Sequence, residues 1–107
     1  GKHNLSAQQR QQCYAFTAKH IAHDVQPEDL ARACGLKLSY FRRCFKQSFQ
    51  CNPRTWLARE RIRHAASLIR DAKLGVEEAA IACGYASTPA FSRCFKKIMG
   101  VSPKQWK

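Results

Sequence analysis

Acidic residues are scarce in this sequence: 7 Asp and Glu stand against 19 Lys and Arg in 107 residues, a formal net charge of +12. Long apolar runs are missing too. The longest is Ala79-Ala80-Ile81-Ala82-Cys83, against the roughly 20 apolar residues that a membrane-spanning helix needs. The amino end, Gly1-Lys2-His3-Asn4, is polar and lacks the apolar stretch of a secretory leader. No Cys-x-x-Cys pair occurs, which argues against a zinc finger. Paired carboxylates, a Cys–His dyad, a phosphate-cradling glycine loop and a metal cluster are absent at any useful spacing, so no enzyme, cofactor or metal is expected. Nor is there a Ser/Gly linker or a low-complexity segment. What remains is 45% hydrophobic, ordinary for a globular domain and too high for a charged disordered tail. The length fits one domain or two very small ones. The charge excess points to a polyanionic partner, nucleic acid before anionic membrane.

The 6 cysteines could be read as a disulfide framework, but Cys34, Cys44, Cys51, Cys83 and Cys94 fall where the local pattern wants an apolar residue. Free cysteine behaves as a small hydrophobe, and a reducing, cytoplasmic setting fits. His20 and His23, with Cys13 two turns upstream, read as a solvated helix face rather than a metal site.

The chain repeats itself. Glu28-Asp29-Leu30-Ala31-Arg32-Ala33-Cys34-Gly35 matches Glu77-Glu78-Ala79-Ala80-Ile81-Ala82-Cys83-Gly84 at an offset of 49. Phe41-Arg42-Arg43-Cys44-Phe45-Lys46 matches Phe91-Ser92-Arg93-Cys94-Phe95-Lys96 at an offset of 50, and the register holds through Pro53 and Trp56 against Pro103 and Trp106. Each unit reads as helix, tight turn, helix. The first helix opens at Pro27 with acids behind it and stops at Gly35. The second runs from about Leu38 to Gln50 on a stripe of Leu38, Phe41, Cys44, Phe45 and Phe49. Its copy uses Phe91, Cys94, Phe95 and Ile98 and ends at Gly100. Twice in one basic chain, this is a helix-turn-helix signature.

Two further helices are expected. One runs from about Ser6 to Asp24 on Tyr14, Ala18, Ile21, Ala22 and Val25. The other runs from Pro53 to about Ala72 on Ala58, Ile62, Ala65, Ala66 and Ile69, widened by Trp56, Leu57 and Leu68. A helix of about 18 residues is about 27 Å long, a little short of one turn of DNA, about 34 Å. A connector of that size could hold two reading heads on successive major grooves. Lys73-Leu74-Gly75 is the expected break after it.

Removing the apolar stripes shows what faces outwards. Ser39, Arg42, Arg43 and Lys46 share one face, flanked by Tyr40 and Gln47. Thr88, Ser92, Arg93 and Lys96 share the matching face, with Pro89 beside it. Neither second helix carries an acid. The major groove admits a helix, Arg can bond guanine O6 and N7 together, and Ser or Thr can serve donors or acceptors. Arg42, Arg43 and Arg93 are therefore candidate base readers, joined by Ser39, Thr88 and Ser92. Lys46, Lys96 and Lys97 are candidate phosphate contacts. Trp56 and Trp106 read as hydrophobic anchors rather than base-stacking platforms. Of the connector residues Arg54, Arg59, Arg61, Arg63 and Arg70, one or two are expected at phosphate and the rest at the solvent.

The stretch Ile81-Ala82-Cys83-Gly84-Tyr85-Ala86-Ser87-Thr88-Pro89-Ala90-Phe91-Ser92-Arg93-Cys94-Phe95-Lys96-Lys97, followed by Gly100-Val101-Ser102-Pro103 and Trp106, resembles the signature of the DNA-binding domain of the AraC/XylS family of bacterial transcription regulators. The resemblance runs from about Gln8 to Lys107. It implies an all-α fold of about seven helices, two helix-turn-helix subdomains joined by a long helix, with both second helices in adjacent major grooves. On that pattern residues 1–107 are one AraC-type DNA-binding domain: 8–52 the first subdomain, 53–72 the connecting helix and 73–107 the second. Arg43 and Arg93 match positions often used at DNA, and Ser39, Arg42, Thr88, Pro89 and Ser92 match more variable specificity positions. The chain departs where family members often carry a small hydroxyl residue and then Pro: here stand Lys37 and Leu38, so a phosphate contact by Lys37 replaces the usual helix cap. With Tyr40 and Ser87 beside these faces, the expected DNA-binding set is complete. The resemblance also implies RNA polymerase as a partner and a separate sensing or dimerisation domain. The end at Lys107 favours a domain excised from a longer protein.

These residues predict sequence-specific binding of double-stranded DNA at a bipartite operator, with bending, and regulation of transcription. The alternative is a non-specific nucleic-acid binder with the same charge and no base preference. A cationic membrane-surface helix would need exposed aromatics opposite its cations, and here the aromatics have a repeated packing role.

Overall fold

Chain punctuation sets this fold more than helix propensity does. The computed structural model describes residues 3–106, and among these every regular element is a helix. The expected domain span extends to residues 1, 2 and 107, which lie outside the described residues. In chain order the helices are α1 (Ala7–Lys19), α2 (Pro27–Ala33), α3 (Leu38–Phe49), α4 (Pro53–Arg70), α5 (Val76–Ala82), α6 (Thr88–Met99) and α7 (Pro103–Trp106).

The repeat survives as equal lengths: α2 and α5 have 7 residues each, and α3 and α6 have 12 each. Matching acids start the paired short helices. The Gln26 backbone N–H donates to the Asp29 carboxylate at 2.8 Å, and the Gly75 N–H donates to Glu78 Oε1 at 3.2 Å. Each satisfies a donor at the open end of a helix. Matching glycines end them: Gly35 at φ +71° and Gly84 at φ +82° turn the chain through the left-handed region.

Contacts divide the chain into two units, Gly1–His20 with Val25–Leu57 and Ile21–Asp24 with Ala58–Lys107. The boundary falls inside α4, whose Trp56 and Leu57 belong to the first core and whose Ile62, Ala65, Ala66 and Ile69 belong to the second.

In the first unit Phe41, Phe45 and Leu30 are fully buried. Burial of such side chains stabilises by about 1.5–3 kcal/mol each. Trp56 closes this core, edge-on to Phe45 at 5.4 Å and to Tyr14 at 5.2 Å. α1 departs from expectation in both length and face. It stops at Lys19 rather than near Asp24. The expected stripe is not its core face: Tyr14 is 43% exposed, Ala18 and Ala22 are exposed, and Val25 is buried but lies beyond the helix. The buried residues of α1 are Cys13 and Thr17. Their small side chains admit the end of α2 closely. Cys13 Sγ lies 3.7 Å from Cys34 Sγ, and the Gln9 amide donates to the Cys34 carbonyl at 3.3 Å.

The second unit buries Phe91, Phe95, Ala79, Ala80 and Cys83 against the later turns of α4. Trp106 closes it: its indole N–H donates to the Ala66 carbonyl at 2.9 Å, and the Arg70 guanidinium lies 4.0 Å above the ring. Both tryptophans are therefore anchors. All six cysteines are free thiols; Cys13, Cys34, Cys44 and Cys83 are buried, and Cys51 and Cys94 are half-buried. Among the described residues, no helix is long and apolar enough to cross a membrane.

Candidate nucleic-acid interface

The second helix of each unit is amphipathic, and its core side fixes its outer side. On α3, burial of Phe41, Cys44 and Phe45 leaves Ser39, Tyr40, Arg42, Arg43, Lys46 and Gln47 exposed. On α6, burial of Phe91 and Phe95 leaves Pro89, Arg93, Lys96 and Lys97 exposed, with Thr88 and Ser92 half-buried at the margin.

The helix starts differ as the residue types dictate. Ser87 caps α6, its hydroxyl accepting from the Ala90 N–H at 3.3 Å. Lys37 holds the same place on α3 in extended backbone, and its side chain makes no cap. Lys37 is exposed, so its ammonium is left to the solvent side of the turn. Such a cap is worth about 1 kcal/mol, so α3 starts less firmly than α6. Tyr40 is 39% exposed, with its ring edge-on to His3 at 6.0 Å. The Cys44 thiol, by hydrogen bonding, raises its phenol above the ordinary range. On the second unit the Tyr85 hydroxyl donates to Cys94 Sγ at 3.3 Å, and burial raises its phenol as well.

Acid and base are segregated by role. Asp29 and Glu78 cap α2 and α5, and Glu28 and Glu77 occupy the same first turns. Asp24 pairs with Arg61 at 3.8 Å, Glu60 with Arg63 at 3.4 Å, and Asp71 accepts from the Ser67 hydroxyl at 3.2 Å. Among the described residues, no ion pair engages Arg42, Arg43, Lys46, Arg93, Lys96 or Lys97. Exposed pairs are worth little. Their consequence here is that the acids lie off α3 and α6, so each helix presents an undiluted positive face.

The connector arginines separate by partner. Arg61 is half-buried against Asp24, and its charge also acts on Cys83, whose thiol burial pushes up to about 11. Arg63 is held by Glu60, and Arg70 lies over Trp106. Arg54 and Arg59 are exposed. Sequence spacing could pair Arg63 with Glu60 three residues back, but not Arg61 or Arg70, whose partners come from outside the helix. Cys13 is fully buried, which removes it from any surface site with His20 and His23. Among the described residues, no three His, Cys, Asp or Glu groups gather as a metal site.

Comparison with known proteins fits this geometry. Residues 30–107 match the helix-turn-helix domain family. The chain is 26% identical over 105 residues to the HTH-type transcriptional regulator GbdR of Pseudomonas aeruginosa, covering 96% of this chain and 29% of that protein. It is 32% identical over 80 residues to the HTH-type transcriptional regulator AlkR of Acinetobacter baylyi, covering 75% and 26%. The chain thus spans under a third of the length of these relatives. Among solved structures it resembles the C-terminal domain of AraT, a response regulator from Geobacillus stearothermophilus, with a TM-score of 0.82 and 32% identity over 95% of this chain and 84% of that one. It also resembles the DNA-binding domain of AdpA, a global transcriptional factor solved with a target DNA, with a TM-score of 0.82 and 26% identity over 94% and 90%. A transcriptional regulator from Chromobacterium violaceum with an AraC-type DNA-binding domain shares the fold, with a TM-score of 0.85 at 20% identity over 92% and 88%. With its paired helix-turn-helix units and a family match over most of its length, the chain belongs to the AraC-type helix-turn-helix family of DNA-binding transcriptional regulators.

Proposed function

We propose that this chain binds double-stranded DNA sequence-specifically, lays α3 and α6 in adjacent major grooves of a bipartite operator, and so regulates transcription. The observation that carries the reading is the pair of exposed, acid-free basic faces on two equivalent helices. Arg43 and Arg93 are the principal base readers, because a guanidinium bonds guanine O6 and N7 together. Ser39, Thr88, Pro89 and Ser92 tune the preference at neighbouring base pairs. Lys37, Lys46, Lys96 and Lys97 hold phosphates and set register. Tyr40 and Ser87 border the two faces. The greater length of the relatives supports a place in a longer regulator with a sensing or dimerisation domain, acting through RNA polymerase.

The test is selection from a random-duplex library at near-physiological salt, with sequencing of the bound fraction. The expected result is two short motifs about 10 base pairs apart, one helical turn. A flat pool with a steep salt dependence would refute the specific reading and leave a non-specific nucleic-acid binder.

A further inference from the structure

A concavity of about 300 Å³ opens in the first unit, lined by Pro27, Arg42, Lys46, Asn52, Pro53 and Arg54. Two arginines and a lysine from two helices are among the residues that line it, and among the described residues no carboxylate lines it. Like charges so gathered repel, and among the described residues no ion pair relieves Arg42, Lys46 or Arg54. The Asn52 amide oxygen is already engaged, accepting from the Thr55 N–H at 2.9 Å at the start of α4. Every charged residue that lines the concavity is a cation.

Helix geometry separates the two arginines of α3. Consecutive residues point about 100° apart around a helix, so Arg42 and Arg43 leave the helix at the two flanks of the exposed face. Arg42 lies with Lys46, one turn on, at the side facing the start of α4, where Arg54 joins them. Arg43 lies on the opposite flank of the exposed face from Arg42, with Ser39 between them.

We propose that Arg42, Lys46 and Arg54 together seat one phosphate of the DNA backbone, so that Arg42 is a positioning residue and base reading on α3 falls to Arg43 and Ser39. This rests on the DNA-binding reading above. It reassigns Arg42 from base edge to backbone and takes Arg54 from the connector into the interface. A tetrahedral anion with three charge-bearing oxygens suits a site with donors on several sides. A phosphate held there fixes the angle of α3 in its groove without carrying sequence information.

The experiment measures the affinity of the 107-residue chain and of Arg42→Ala, Arg42→Lys and Arg54→Ala for the selected duplex and a shuffled duplex, across a salt series. Both substituted positions are exposed, and circular dichroism melts confirm folding. The expected result is a loss of about five- to tenfold for both alanine variants on both duplexes, with the salt slope falling for each and by no more than about 0.9 for the two together. Arg42→Lys should retain most of the affinity, since a phosphate accepts a point charge where a bidentate base contact does not. Loss by Arg42→Ala on the selected duplex alone, with no rescue by Lys and an unchanged slope, overturns the proposal. So does Arg54→Ala at parent affinity. If the parent chain itself shows no preferred duplex, sequence specificity fails, and the slopes on the shuffled duplex still decide the phosphate seat.

Discussion

Gly35 and Gly84 occupy the same place in the repeat, and alanine substitutions there should not cost the same. Both lie at positive φ, +71° and +82°, where an alanine is disfavoured by about 1–2 kcal/mol. Alanine also restricts the unfolded chain and recovers about 0.4–1 kcal/mol. At Gly35 a new Cβ meets nothing within 4 Å. Gly35→Ala should therefore cost about 1 kcal/mol. At Gly84 the new Cβ would sit 3.1 Å from the Ile21 carbonyl oxygen and 3.2 Å from that of Ala22. These are backbone atoms, which yield less readily than the end of a flexible side chain. Overpacking of that kind adds about 1–3 kcal/mol, so Gly84→Ala should cost about 2–4 kcal/mol in all. Urea denaturation followed by tryptophan fluorescence reads both units, because Trp56 lies in the first core and Trp106 packs against the second. Asparagine separates the two causes. It tolerates the left-handed region but still carries a Cβ, so it should rescue position 35 and not position 84. Equal losses for the two alanines, or full rescue of position 84 by asparagine, would refute the reasoning.

Three further outcomes follow from single residues. Gln50 ends α3 at φ +63° where the second copy has Gly100, so Gln50→Gly should stabilise the first unit by about 0.5–1 kcal/mol in the same denaturation assay. Thr17 is 2% exposed, and its hydroxyl is a buried group without a partner among the described residues. Thr17→Val should accordingly be neutral or stabilising by up to about 1 kcal/mol, and a loss of stability would show a hidden role for the hydroxyl. Burial holds the Glu60 carboxyl above its ordinary value, and Arg63 offsets part of that. The folded chain thus binds this proton more tightly than the unfolded chain does. Relative to Glu60→Gln, the parent should gain stability as pH falls from neutral through the raised value to the ordinary glutamate range. A difference that shrinks on acidification would contradict the sign.

What could be read from sequence was what the chain states locally and twice. Phe41, Cys44 and Phe45 recur as Phe91, Cys94 and Phe95, and a core stripe that recurs identifies its own solvent face by subtraction. Arg43 and Arg93 were legible for that reason. α1 was not. Its sequence is glutamine-rich, and its core contacts are Cys13 and Thr17, types that occupy surface and core alike. Its end was also illegible, because no glycine or proline stands between Lys19 and Asp24. That stop is tertiary: Ile21–Asp24 leaves the first unit, lays its carbonyls over Gly84 and pairs Asp24 with Arg61. The connector arginines follow the same logic. Composition counts Arg54, Arg59, Arg61, Arg63 and Arg70 alike, whereas Asp24, Glu60 and Trp106 engage three of them. A net charge of +12 therefore overstates how evenly the surface is charged and understates how sharply it is aimed. With the acids placed at helix starts, in pairs and beside the connector, the local field on α3 and α6 is set by cations that no ion pair among the described residues neutralises. Moving one acid onto either face would change DNA affinity more than the same change in net charge made elsewhere.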